Sequence, residues 1–269
     1  MTEFSGKYAV VTGGSQGLGA AIATLLAERG AAGIVTCGRN ADNGDQVAAR
    51  ITDKTGCPVH FVQADLAEVE ACRRVIATAD EQFGAVDVLV NAAAVTDRGN
   101  ILDTSPELFD SMMAINLRAP FFLMQDAAKL MRRQGGGGAI VNIASMSSLA
   151  GQPFIAAYCA SKGGLATLTK NTAYGLMRDR IRVNGLNIGW MASDGEDRMQ
   201  KSYHGAEDGW LEAAAAQQPF GRLIAPEEVA RAVAFLAGPE SGLMTGSMVN
   251  FDQSIWGAYD APPTPEAAL

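Results

Sequence analysis

Several features are missing from this chain of 269 residues, and each absence removes a class of protein. No apolar run approaches the roughly 18 residues that a membrane-spanning helix needs, which excludes an ordinary helical span. The start, MTEFSGKYAVVTGG, lacks the charged, apolar and small-residue segments of a secretory leader, so the expected location is cytoplasmic. There are only two histidines, His60 and His204, far apart in sequence, which argues against a zinc cluster; no metal is expected. The four cysteines, Cys37, Cys57, Cys72 and Cys159, show no C-x-x-C spacing and read as small hydrophobes in a chain too large to need disulfides. Positive charge is in deficit. A net charge of -8 disfavours nucleic acid and anionic membrane as partners, although a local cation or a helix N-terminus can still hold a phosphate. No linker and no repeat interrupts the chain. It reads as one domain over 1–257, with a tail over 258–269 that begins before the proline-rich APPTPEAAL.

What is present is alternation. Short apolar runs (YAVVTGG, GIVTCG, PVHFVQAD, VDVLVNAA, AIVNIAS, IRVNGLN, SMVNF) alternate with helical stretches, among them 41–54, 68–83, 105–133, 156–178 and 226–237. Buried strands alternating with helices predict an α/β fold, a doubly wound parallel sheet covered on both faces. One connection, 188–221, is too long for an ordinary β–α loop and is expected to be a substrate lid.

The first strand runs into VVTGGSQGLGAAIA, where Gly13, Gly17 and Gly19 open the first helix. A phosphate has to approach backbone N–H groups there, and side chains would obstruct it. Ser15, Gln16 and Leu18 lie between these glycines. An acid commonly ends the second strand of an NAD site and accepts from the ribose 2′-hydroxyl. Here that strand ends in Gly38 and Arg39. An arginine cannot accept a hydrogen bond, but its planar fork suits a phosphate, which favours NADP over NAD. Gln16 adds no second positive charge.

Tyr158 and Lys162 stand four residues apart in AAYCASKGG, on one face of a helix. A tyrosine pKa of about 10 must fall by about 3 units, or about 4 kcal/mol, for the side chain to act as a base near pH 7. A nearby ammonium acts in that direction. Ser145, at the end of the preceding strand, can hydrogen-bond a substrate oxygen as charge develops.

The ordered set TGGSQGLG, QADL, LVNAAA, INL, NIAS, YCASK and IRVNGLNIG resembles the short-chain dehydrogenase/reductase family over residues 5–257. The resemblance implies strand order 3-2-1-4-5-6-7, a nicotinamide dinucleotide, and catalysis by Ser145, Tyr158 and Lys162 with Asn116, which would hold a water between Lys162 and solvent. Lys162 would also hold the ribose hydroxyls. It further implies that Asp65 and Leu66 flank the adenine, that Asn91 and Ala92 support the cofactor loop, and that Ile188 and Ser193 border the cofactor. Asp65 reads alternatively as a helix N-cap. Three departures stand out: NAAA for N-N-A-G, NIG for N-P-G, and Gln16 for a basic residue.

The lid carries carboxylates, His204, Trp190 and Trp210, a composition suited to hydroxyl groups and sugar C–H faces, and equally to a solvated loop. Gln152, Asn187, Trp190, Asp194, His204 and Trp256 are the candidate substrate contacts. The leading reading is a dehydrogenase of a small sugar or polyol. A ketoreductase of an acyl chain and a catalytically silent dinucleotide sensor are the alternatives. A homotetramer is expected from the resemblance and from the apolar faces of the two long helices.

Overall fold

The computed structural model describes residues 3–255. Seven strands, β1 (Tyr8–Thr12), β2 (Gly33–Gly38), β3 (Val59–Gln63), β4 (Val88–Asn91), β5 (Gly138–Ser145), β6 (Ile181–Ile188) and β7 (Met248–Phe251), form one sheet. Their order is β3-β2-β1-β4-β5-β6-β7 and every pairing is parallel, as expected. Period-two alternation sorts the strand residues between two cores. Ala9, Val11, Val88 and Val90 face one apolar cluster, while Val10 and Leu89 face the other.

The first cluster is closed by α1 (Gly17–Glu28), α2 (Ala41–Thr55) and α9 (Pro226–Ala237) through Ile22, Leu26, Val47, Ile51, Val229 and Val233. The second is closed by α3 (Val69–Phe83), α5 (Ala119–Gln134) and α6 (Ala156–Leu176) through residues such as Val75, Leu123, Met131 and Ala173.

The helix expected over 105–133 is three pieces in one rod. Ser105 caps α4 (Pro106–Met113) by accepting from Leu108 N. A π-helical turn, Ala114–Arg118, then widens the rod before α5 begins. Helix α6 ends at Leu176 rather than 178, and a 3-10 turn carries the chain to Asp179. The connection over 188–221, expected to be a lid, is more ordered than its length suggested. It contains α7 (Asp194–His204), capped by Ser193, and α8 (Trp210–Ala216). Gly205 and Gly209 separate them, both with left-handed φ that favours glycine.

The amino-end rim of the sheet is tied by polar side chains. Asp87 accepts from Lys7 Nζ and from Tyr8 N, each at 2.9 Å. Arg182 donates to the carbonyls of Leu236, Ala237, Gly238 and Met244, and so supplies partners for the last two carbonyls of α9.

Candidate active site

Strand order reverses between β1 and β4, and the carboxyl ends of the strands there open a crevice, the usual ligand position in such sheets. The crevice is a cleft of about 360 Å³. It gathers Gly13, Ser15, Gln16, Gly17, Leu18 and Gly19 after β1, with Gly38 and Arg39 after β2. Asp65, Leu66 and Ala92 lie on the next loops, and Ser145, Tyr158, Ile188, Trp190 and Ser193 complete the wall.

The glycines have separate physical reasons. Gly13 has φ +73°, and a Cβ on it would lie 3.0 Å from Ala93 Cα. A Cβ on Gly19 would lie 2.2 Å from Gly13 O, so the helix could not sit this close to β1. Gln16 occupies the N-cap of α1 without a side-chain cap bond, which leaves first-turn N–H groups for an anion. The loop after β4 is fixed by Thr12, whose Oγ1 accepts from both Ala92 N and Ala93 N at 3.0 Å. This supplies the rigidity that the NAAA departure put in question. These features fit a dinucleotide: open N–H donors, a cradle that a Cβ would fill, and a cation where an acid would reject a 2′-phosphate.

Beneath the cleft, Asn91 is buried and donates through Nδ2 to Asn142 Oδ1 at 2.8 Å, and Asn142 donates to Thr169 Oγ1 at 2.9 Å. Asn91 thus supports the loop from below rather than lining the cleft. Asp65 Oδ1 accepts from Ala67 N at 2.9 Å, while Glu68 holds the N-cap of α3, so Asp65 closes its own turn and is not the cap.

Tyr158 and Lys162 do share a face, with Nζ 5.6 Å from the centre of the phenol ring. The acidification expected from Lys162 together with a bound nicotinamide is not supplied by Lys162 alone. Burial dominates and pushes the phenol up to about 12, against a hydrogen bond with Ser145 that lowers it; Glu196 raises it and Arg98 lowers it. Lys162 is itself buried, donates to Ile143 O at 2.7 Å, and falls to about 8 through desolvation. Ser145 Oγ also accepts from Ser147 N at 3.1 Å.

Asn116 lies in the π turn, not in a regular helix. Its Oδ1 accepts from Val95 N and its Nδ2 donates to Val95 O, both at 2.9 Å, and to Ser161 Oγ at 3.2 Å. The side chain therefore anchors the loop after β4 to α6. It is bonded to Val95 and Ser161 rather than directed at Lys162. A π turn suits this, because it breaks the regular ladder of backbone partners.

The substrate candidates divide. Trp190 lines the cleft, and its Nε1 donates to Glu196 Oε1 at 2.9 Å. His204 closes α7, where its Nε2 accepts from Arg98 Nε at 3.2 Å beside Phe154. Asp194 faces a separate cavity behind the glycine loop. Asn187 is buried and spent on Asn250 and Ser148. Gln152 is exposed and lies outside the cleft lining. Trp256 lies outside the described residues. Sequence reasoning passed over Arg98, whose guanidinium donates to Thr96 O at 2.7 Å and lies 3.9 Å from Glu196. It also passed over Arg198, which donates to Gln16 Oε1 at 3.2 Å from 182 residues away. The charged pair in TDRGN was the only signal for the first; nothing in the sequence marked the second.

Sheet order, glycine cradle and Ser–Tyr–Lys cluster together define a dinucleotide-dependent oxidoreductase of the doubly wound class. A family model described as enoyl-(acyl carrier protein) reductase matches residues 13–253. The chain belongs to the short-chain dehydrogenase/reductase family. It is 34% identical to the probable galactose dehydrogenase GalD of Rhizobium meliloti (strain 1021), over 92% of this chain and 94% of that one. It is also 34% identical to the 3-oxoacyl-[acyl-carrier-protein] reductase FabG of Rickettsia conorii, over 93% and 97%. The L-sorbose reductase of Gluconobacter frateurii, solved in complex with NADPH and L-sorbose, superposes with a TM-score of 0.88 at 29% identity, covering 96% of this chain and all of that one.

Proposed function

We propose that this oxidoreductase moves a hydride between NADP(H) and the secondary alcohol or carbonyl of a small polyhydroxylated substrate, with Tyr158 exchanging the proton. The observation that carries this reading is that Tyr158 and Ser145 share a wall of the cleft that the glycine loop opens. A bound nicotinamide supplies or accepts the hydride. The chain's own residues do the rest. Ser145 hydrogen-bonds the reacting oxygen and holds it beside the phenol. Burial keeps Tyr158 protonated near pH 7, so in this state it is set to give its proton to a carbonyl oxygen. Lys162 holds the ribose and adds positive charge beneath the ring. Asn116 positions the loop after β4 through Val95.

NADP is supported by Arg39 in the cleft, with Arg198 bonded to Gln16 from the neighbouring cavity. The polyol class is supported by the galactose dehydrogenase and sorbose reductase likenesses and by the polar lid over 188–221. The likeness to the Rickettsia enzyme favours a second reading, reduction of an acyl-chain ketone. Tyr158→Phe should abolish turnover of sugars, polyols and simple ketones alike while NADPH still binds, as read by nucleotide fluorescence. Turnover within tenfold of the parent would remove Tyr158 from the proton step.

A further inference from the structure

Of the polar residues of the 188–221 segment, Glu196 lines the cleft that holds Ser145 and Tyr158, whereas Asp194 lines a separate cavity and His204 lies outside the lining. Glu196 sits in the first turn of α7. Its charge reaches Tyr158, whose acidity it alters. The carboxylate is held in a fixed pose. Trp190 Nε1 and Gln200 Nε2 both donate to Oε1, at 2.9 and 2.7 Å, and the Arg98 guanidinium lies 3.9 Å from the same oxygen. Glu196 N, in turn, donates to Ser193 Oγ at 3.1 Å, which fixes the backbone beneath it. No hydrogen bond from any described residue reaches Oε2. A carboxylate with a side chain only 18% exposed, held through Oε1 by three neighbours and with Oε2 free of protein donors, is a built acceptor site in the cleft wall.

We infer that Glu196 Oε2 accepts a hydrogen bond from a substrate hydroxyl on a carbon next to the reacting one, and so determines the preference for hydroxylated carbonyls. This rests on the polyol reading above and names the residue that enforces it. The physics separates substrates in two ways. A hydroxyl satisfies the acceptor, whereas a hydrogen in its place leaves a desolvated carboxylate oxygen unpaired, and sites built to bond a hydroxyl discriminate strongly for that reason. A carboxylate in the same place would meet like charge, so 2-keto acids are disfavoured. Arg98 spends Nε on His204 and Nη1 on Thr96 O, and its closest approach to the carboxylate is 3.9 Å, to Oε1.

The test uses the matched substrates 1-hydroxy-2-butanone and 2-butanone with parent, Glu196→Gln and Gln200→Leu enzymes. The parent should favour the hydroxy ketone. Glu196→Gln should lose tenfold or more in kcat/KM on the hydroxy ketone, mostly through KM, and less than threefold on 2-butanone. Gln200→Leu removes a donor to Oε1 and keeps Oε2, so it should leave the ratio of the two substrates at the parent value. Equal losses on both ketones in Glu196→Gln would mean that the residue only holds the lid, and would overturn the inference, as would no loss on either. A parent that reduces 2-butanone but no hydroxylated carbonyl, or neither, fails before any variant is made. That outcome overturns the polyol reading itself, and the inference with it.

Discussion

Lys162 is a buried cation, and that burial is costly. It is a large side chain with almost no exposure, and among the described residues no carboxylate pairs with it and its one hydrogen bond is to a strand carbonyl. Burial of an unpaired ammonium is unfavourable, which is why its pKa falls from 10.5 to about 8. The direction of the linkage follows. Between about 8 and 10.5 the unfolded chain holds a proton that the folded chain has released, so stability rises with pH across that window. Below about 8 both states hold the proton and the penalty is constant. Lys162→Met should therefore melt above the parent at pH 7, with the gap closing by about pH 10.5, while activity is lost. A variant that melts below the parent at every pH would show that the ammonium is compensated. Residues of this kind were legible in the sequence because the chemistry fixes their spacing: Tyr158 and Lys162 must share a helix face, and Ser145 must end a strand. Glu196, Arg98 and Arg198 had no such spacing. A charge on a loop gives no sign of its partner, and the partners here are set by tertiary packing. The same limit made Asn187 look available when Asn250 and Ser148 already occupy it.

Among the elements, the strands were read correctly because buried parallel strands are short, apolar and bounded by glycine or polar residues. The π turn at Ala114–Arg118 was not, because one extra residue in a helical turn leaves the apolar pattern on both sides intact. The lid's two helices were hidden by their polarity, since α7 buries no side chain and gives no apolar stripe. Contacts to two loops hold α7. Arg98 and Asp97 from the loop after β4 reach His204 and Tyr203, and Arg198 reaches Gln16 in the glycine loop. This sets a prediction for cofactor choice. Arg39→Ala should weaken NADPH by tenfold or more, the order expected for a lost charge-assisted bond, and leave NADH nearly unchanged. Arg198→Ala should act in the same direction by a smaller factor, because its charge reaches the site from across Gln16. Isothermal titration with both nucleotides reads the two effects. Equal losses for NADPH and NADH would assign these arginines to the shared diphosphate instead.

At the scale of the whole molecule, the two long helices leave apolar surface uncovered. Phe121 on α5 and Tyr174 on α6 are exposed, as is Met177 just beyond α6, and a shallow groove between these helices is lined by Leu117, Phe122 and Leu168. Association through these faces is the proposed origin of a homotetramer, and light scattering at micromolar concentration should return four times the chain mass of 28.1 kDa. A mass of one chain would contradict it, and Phe121→Asp should shift the assembly towards smaller species. The sheet also has two unlike rims. At the amino ends, Asp87 and Arg182 satisfy backbone groups and fasten strands to helices. At the carboxyl ends, Ser145 closes β5, Tyr158 and Lys162 stand on α6, and the loops and the 188–221 segment, which adds only Ile188 and Met191 to the edge of one core, complete the cleft. Inheritance can therefore act on the two rims separately. Loop residues such as Glu196 and Arg98 can change with the molecule being oxidised or reduced without disturbing the packing of the scaffold beneath them. One architecture can in this way diverge into sugar, polyol and acyl-chain enzymes without refolding.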